Sequence, residues 1–337
     1  MSVFKIIRTL PGDLNFVHFQ NLPEKLYNKN SQRFIFGNEP VAKYLEACYI
    51  LLDANEPVGR FAFYENPELI YDNGNAACIG SYECIENADA CKYLLQFAIS
   101  IAKEKSYKWL IGPMEGSTWN NYRFSNHNMF ANFFLEPYHH IYYNQQFETN
   151  NFISIANYFS NIDSTMSFDK EKIDKFEQYY INLGAKFRKI NMNDFRNELI
   201  KLAKCSIDGF SNNFLFTKIS TEDFVSKYEK LKDYFDTEFV WIVEDIDDEI
   251  QAFAFAIPDK MDSTNQTLII KSTVNKSNTK FKGISSYLIG KIVQTGNNKG
   301  YKRIIHAFMI RDNSSVNISK HYHGSEYKSY TLYGIKL

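Results

Sequence analysis

The clearest hydrophobic pattern in the chain lies near its C-terminal end. Residues 267–274, Thr-Leu-Ile-Ile-Lys-Ser-Thr-Val, are mostly apolar and rich in branched side chains, which predicts a strand. A polar loop follows over 275–282. Beyond it Tyr287, Leu288, Ile289, Ile292 and Val293 recur at helical spacing, so a helix opening at Gly283 can bury one face on a sheet. Apolar residues return over 302–310 as a second strand. A strand that feeds an outward-facing loop at a helix start makes an anion cradle. The unpaired N–H groups and the helix dipole there both favour phosphate.

The same reading extends to the rest of the chain. Loose alternation over 2–8 predicts an opening strand, and helix and loop follow to about Tyr27. Apolar segments at 48–53 and 59–64 flank the turn formers Asp53-Ala54-Asn55-Glu56-Pro57, a hairpin pattern. Residues 75–83 read as a third strand. Asn87 can cap a helix whose buried stripe is Ala90, Leu94, Phe97, Ala98 and Ile101. The next strand, 108–111, is stopped by Gly112-Pro113. The polar stretch 161–167 predicts a boundary, dividing the chain into domains 1–163 and 164–337. In the second domain a helix over 168–183 ends at Gly184, and a strand occupies 185–190. Amphipathic helices cover 194–205 and 221–234, the latter capped by Ser220 or Thr221. A second hairpin joins 239–243 to 252–257. The heptad 105–111, KSYKWLI, lies against KGYKRII 194 residues later, and the hairpin turns at Asp53 and Asp245 are 192 residues apart. So steady an offset predicts internal duplication.

Composition narrows the picture. The 337 residues suit about two domains, and 16% aromatic content supplies large cores. A formal net charge of -1 argues against a nucleic-acid partner. The start Met1-Ser2-Val3-Phe4-Lys5 predicts no signal peptide, and no apolar run is long enough for a membrane span. Five cysteines without Cys-x-x-Cys spacing predict reduced thiols and a cytoplasmic location.

The loop Lys280-x-x-Gly283-x-Ser285 resembles the acyl-CoA pyrophosphate loop of the GNAT acyltransferase superfamily, Gln/Arg-x-x-Gly-x-Gly/Ala. A cation, the glycine and a small residue are kept. The order strand, two helices, hairpin, strand, loop-helix, strand is also that of GNAT proteins. The resemblance covers 185–337 well and 1–161 more loosely. It implies an α/β fold of two GNAT-like domains in tandem, each a mixed, mostly antiparallel sheet flanked by helices. It also implies acetyl-CoA or another acyl-CoA as cofactor. Its binding residues would be Thr273, Val274, Lys280, Phe281, Lys282, Gly283, Ile284, Ser285, Ser286 and, past the last central strand, Asn313. In the first domain Tyr82-Glu83-Cys84-Ile85-Glu86-Asn87 occupies the corresponding place. It has no glycine and two carboxylates, which predicts a domain without a working cofactor site.

The activity implied is direct attack of a neutral amine on the acyl thioester, with a small-molecule or peptide amine as acceptor. Glu244, Asp312 and His306 are candidate bases, although His306 within Ile304-Ile305-His306-Ala307-Phe308 also reads as a core histidine. Many relatives carry a tyrosine acid seven residues after the asparagine. Here that position is Lys320, with Tyr322 two residues on as the substitute. The loop 112–123 looks like the Gly-Pro loop of some bacterial tandem GNAT proteins, and Trp119, Tyr122 and Arg123 could shape an acceptor pocket. The pairs His139/His140 and His321/His323 are not read as metal ligands, and no metal is expected. Oligomeric state stays open. Two other readings stand beside the enzyme: a non-catalytic acyl-CoA-binding or interaction protein, and an aminoacyl-tRNA-dependent transferase.

Overall fold

The structure is a computed structural model that describes residues 3–27, 39–310 and 314–337. The chain forms two units built on mixed sheets flanked by helices. The first comprises Met1–Asn157, Leu215–Thr217 and Ser329–Leu337; the second comprises Tyr158–Phe214 and Lys218–Lys328.

In the first unit β1 (Phe4–Thr9) and α1 (Phe16–Leu26) precede the hairpin β2 (Leu45–Asp53) and β3 (Glu56–Tyr64). A two-residue strand, β4 (Ile70–Tyr71), leads to β5 (Gly74–Cys84), α2 (Ala88–Glu104) and β6 (Trp109–Gly112). Then come β7 (Phe124–Ser125), α3 (Tyr142–Thr149) and β8 (Ile153–Asp163), which leaves the unit after Asn157. In the second unit the elements are α4 (Lys170–Asn182), β9 (Lys186–Lys189), α5 (Phe195–Gly209), α6 (Thr221–Glu229), β10 (Val240–Glu244) and β11 (Ile250–Pro258). They continue with β12 (Thr267–Asn275), α7 (Ile284–Asn298), β13 (Arg303–Ile310), α8 (Ser314–His321) and β14 (Ser325–Lys336), which returns to the first unit at Ser329. Among the described residues no helix is long and apolar enough to cross a membrane.

The two sheets repeat one plan. The first runs β1-β2-β3-β5-β6-β14 and the second β9-β10-β11-β12-β13-β8. Every pair in these runs described by its register is antiparallel except β5–β6 and β12–β13, each parallel pair being joined by a crossover helix. Even the irregularities match. β5 carries one extra residue opposite β3 between Gly80 and Glu83, and β12 carries Lys271 as the extra residue opposite β11. The duplication inferred from sequence offsets is therefore a duplication of topology.

Local chemistry explains the elements. Asn87 caps α2 by accepting from the Ala90 N–H at 2.9 Å, and the stripe Ala90, Leu94, Leu95 and Ala98 is fully buried. Each such leucine contributes roughly 1.5–3 kcal/mol of burial. Ser220 caps α6 through the Asp223 N–H. All five cysteines are free and buried, and burial pushes the Cys48, Cys84 and Cys205 thiols up to about 12.

Two expectations change. The stretch 161–167 is not wholly a linker, because β8 runs on to Asp163. Within it Asn161 and Asp163 are buried with hydrogen-bond partners: Asn161 Nδ2 donates to Ser319 Oγ at 3.0 Å, and Asp163 Oδ1 accepts from the Thr165 N–H and hydroxyl, each at 2.7 Å. Nor are the units two consecutive blocks, since the last strand supplies the edge next to β6.

The first core encloses a charge. Arg60 and Glu83 lie 3.7 Å apart with side chains 4% exposed, and Glu83 also accepts from the Tyr27 and Tyr143 hydroxyls at 2.8 and 2.7 Å. Removing the carboxylate leaves the guanidinium buried without its counter-charge. Glu83→Ala should therefore lower stability by about 3–5 kcal/mol, read from denaturant midpoints. An unchanged midpoint would show that the pair carries no stability.

Candidate functional site

The second sheet opens along one seam. β12 and β13 pair in parallel only from Thr267↔Arg303 to Ile270↔His306. Beyond that rung both strands deviate: Lys271 bulges from the ladder with β11, and β13 loses register with β8 between His306 and Met309. Phe308 adopts φ +58°, a left-handed backbone unusual for a bulky residue, and donates its N–H to Ser160 Oγ at 3.1 Å. The result is a fork between Lys271–Asn275 backbone on one side and 307–310 on the other. The Lys271 ammonium crosses it, lying 4.4 Å over the Phe308 ring.

At the mouth of the fork α7 begins. Gly283 is its N-cap, at φ +80°, with no side chain capping the helix. A Cβ there would force a left-handed residue and point at Tyr180 Oη, 3.4 Å away. Several loop amides are already spent. Phe281, Lys282, Ile284 and Ser286 donate to Thr279 Oγ1, Lys280 O, Phe281 O and Gly283 O, while Ser277 donates to the Asp208 carboxylate at 2.6 Å. Among the described residues the N–H groups of Lys280, Gly283 and Ser285 have no acceptor, nor has that of Asn278. The three positions that define the sequence motif are thus three open donors at one helix start.

The loop's own side chains turn away from this spot among the described residues. The Phe281 ring is wholly buried in the core, and Ile284 with it. The Ser285 hydroxyl turns away to Asn275 Oδ1 at 2.9 Å, and the Tyr180 hydroxyl donates to the Lys282 carbonyl at 2.9 Å. The Asp208 carboxylate is held at the loop's entry, where it accepts from the Ser277 N–H and hydroxyl. Val274 is buried and Thr273 half-buried on β12 past the last rung. Gly209, ending α5, lets that helix close on this strand; a Cβ there would lie 2.5 Å from the Asn275 carbonyl.

The residues expected to carry chemistry are distributed differently. Glu244 ends β10 with its carboxylate on Arg188 at 2.7 Å, and the same guanidinium holds buried Glu198 at 2.6 Å. It is a partner in an ion-paired triad. Tyr322 is buried between α8 and α7 and donates to the Ser286 carbonyl at 2.8 Å, touching Gly290. That is a packing role, and burial raises its pKa. Asp312 and Asn313 lie outside the described residues. His306, by contrast, stands on the last rung before the fork. It is 4% exposed, and its Nε2 has no hydrogen-bond partner among the described residues.

In the first unit the equivalent fork is filled. The Met114 N–H continues the ladder to Ile79 O at 2.8 Å, and Glu115 bonds Ser81 and Asn121 against Gly80. Asn87 occupies the first turn of α2. Trp119, Tyr122 and Arg123 are also committed inward. The Trp119 indole donates to Thr217 O at 2.8 Å, which ties residues 215–217 to this unit. The buried Arg123 guanidinium stacks 4.0 Å over Tyr122 and donates to its hydroxyl. His139 Nε2 accepts from the Ser125 N–H, and His140 stacks on Tyr27 at 4.4 Å. Sequence patterns could not reveal these pairings, which join positions as far apart as Tyr27 and His140.

Two sheets of one strand order, each with one parallel pair joined by a crossover helix, make a tandem GNAT fold. Solved structures share it. A tandem GNAT protein from the clavulanic acid biosynthesis pathway superposes with a TM-score of 0.55 at 8% identity, covering 99% of this chain and 98% of that one. A GCN5-related N-acetyltransferase from Sphaerobacter thermophilus gives 0.51 at 7%, covering 99% and 95%. The glucosamine N-acetyltransferase region of a fungal multi-domain GH3 β-N-acetylglucosaminidase gives 0.59 at 11%. This chain spans 99% of itself in that last match but only 38% of the fungal chain. No protein-family model and no curated protein matches the sequence.

His306 offers a direct check on its environment. Burial lowers its pKa from 6.5 to about 4, a shift that Asp163 opposes. The folded value lies below the unfolded one, so its stabilising contribution is complete above pH 6.5 and is lost as pH falls toward 4. Between pH 7 and pH 5 the protein should lose about 2 kcal/mol more stability than a His306→Gln variant. Parallel pH curves for the two proteins would place the imidazole in solvent.

Proposed function

We propose that this chain is an acyl-CoA-dependent N-acyltransferase whose cofactor binds the second unit. The observation that carries the reading is the set of open N–H groups at Lys280, Gly283 and Ser285, at the head of α7 beside a fork in the sheet. These donors fit a diphosphate, and the Lys280 and Lys282 ammonium groups add charge to match. Gly283 lets the ligand reach the backbone. Bound there, acyl-CoA would supply an activated thioester, with its acyl arm directed along Thr273 and Val274. Alternate residues of β12 beyond Ile270 turn backbone groups toward the fork and would orient that arm. Neutral His306 at the last rung is the side chain best suited to accept a proton from an incoming amine, given that Glu244 is held by Arg188. The acceptor would be a small-molecule or peptide amine in a cytoplasmic setting.

A second reading, a non-catalytic acyl-CoA-binding protein, is favoured by specific contacts. Tyr322 is spent on the Ser286 carbonyl, Glu244 on Arg188, and Lys271 reaches Phe308 across the fork. Calorimetry with acetyl-CoA, longer acyl-CoAs and CoA tests binding, and thiol release with a panel of amines tests turnover. Acetyl-CoA should bind, and Gly283→Val should weaken it at least tenfold, about 1.4 kcal/mol. Absence of heat with every thioester would remove both readings. Binding without thiol release would leave the second.

A further inference from the structure

We propose that the exposed aromatic pair Phe176 and Tyr179 on α4 is the seat of the cofactor's nucleobase, an inference that rests on the acyl-CoA reading above. Helix α4 lies antiparallel to α7: Ile173 meets Gly290, Glu177 pairs with Lys291 at 3.1 Å, and Tyr180 reaches Lys282 and Gly283. The last turn of α4 is thereby brought to the head of α7, where the open amides are. Four of the thirteen large apolar side chains exposed among the described residues fall within the eight residues 176–183, the last turns of α4 and the residue after it. They are Phe176 at 41%, Tyr179 at 54%, Ile181 at 47% and Leu183 at 36%. Such a concentration on one helix end marks a surface built for contact.

The patch is continuous with the cradle through Tyr180. Phe176 stacks on the Tyr180 ring at 6.3 Å, and Tyr179 meets it edge-on at 5.3 Å. The Tyr180 hydroxyl in turn bonds the Lys282 carbonyl and faces Gly283. The Lys280 ammonium lies 3.7 Å from the Cβ position of Gly184, just past the end of α4, where helix carbonyls favour a cation. Aromatic surface, lysines and open amides thus follow one another from the end of α4 to the head of α7. A base resting on Phe176 and Tyr179 would gain stacking while its diphosphate met the amides of Lys280, Gly283 and Ser285.

Titration calorimetry of the full chain with two probes tests this: acetyl-CoA, and acetyl-4′-phosphopantetheine, which lacks the 3′-phosphoadenosine and one phosphate of the diphosphate. The double variant Phe176→Ala/Tyr179→Ala should weaken acetyl-CoA about tenfold or more and leave the fragment's affinity unchanged. Phe176→Trp/Tyr179→Trp should retain acetyl-CoA binding. Both positions are exposed, so the variants should keep the parent circular dichroism. Equal losses for the two probes, or no loss for acetyl-CoA, would overturn the assignment. If the parent chain binds acetyl-CoA and the double variant changes only the sedimentation coefficient, the patch joins two copies of the chain instead. If the parent binds neither probe, the acyl-CoA reading falls and this one with it.

Discussion

The hydrogen bonds between β12 and β13 stop at Ile270 and His306, and the candidate site follows from where they stop. A parallel pair of this kind would continue if nothing disturbed it. Here each strand is disturbed, β12 by the extra residue Lys271 and β13 by the turned backbone at Phe308. Separation of the strands leaves backbone groups facing a gap, and α7, closing the crossover, points its N-terminus at the same gap. Donors are therefore arranged by the sheet and the helix together. Side chains decide only whether the gap stays open.

Comparison of the two units shows how small that decision is. Both sheets have the same order, a parallel crossover pair and a bulge at the same strand. In the second unit Gly283 starts the helix bare. In the first, Asn87 caps it and Glu115 fills the space above Gly80, held by Ser81 and Asn121. A capping side chain is worth about a kilocalorie per mole to a helix, so an uncapped start forgoes local stability. The second unit forgoes it at the one helix whose first amides face the fork.

Much of this was legible in the sequence, because period and turn chemistry act locally. The hairpins about Asp53 and Asp245, the capped helix after Asn87, and the run of β12, α7 and β13 all follow from neighbours a few positions apart. What could not be read depends on distant partners. The end of β8 looked like a polar linker because Asn161 finds its partner in Ser319, 158 residues away. Glu244 looked like a solvent-facing base, yet Arg188 from β9 claims it. Tyr322 looked like a substitute acid, yet its hydroxyl donates to a helix carbonyl. In each case burial, which periodicity does not report for polar residues, decided the role.

The same distinction explains how a loop of this kind can keep its geometry with little demand on side-chain identity. Recognition of a diphosphate through backbone N–H groups places little demand on side-chain identity. It needs a residue tolerating φ +80° at the helix start, hence Gly283, and small or outward-turned neighbours. Lys280 keeps the charge of the motif's first position, and Ser285, its hydroxyl turned to Asn275, keeps the clearance of its last. Catalysis is less forgiving, since a proton acceptor must be a particular side chain in a particular place. Binding and turnover can therefore part company in this chain. The amides would hold the ligand in either case, and what a base at the fork contributes rests on His306.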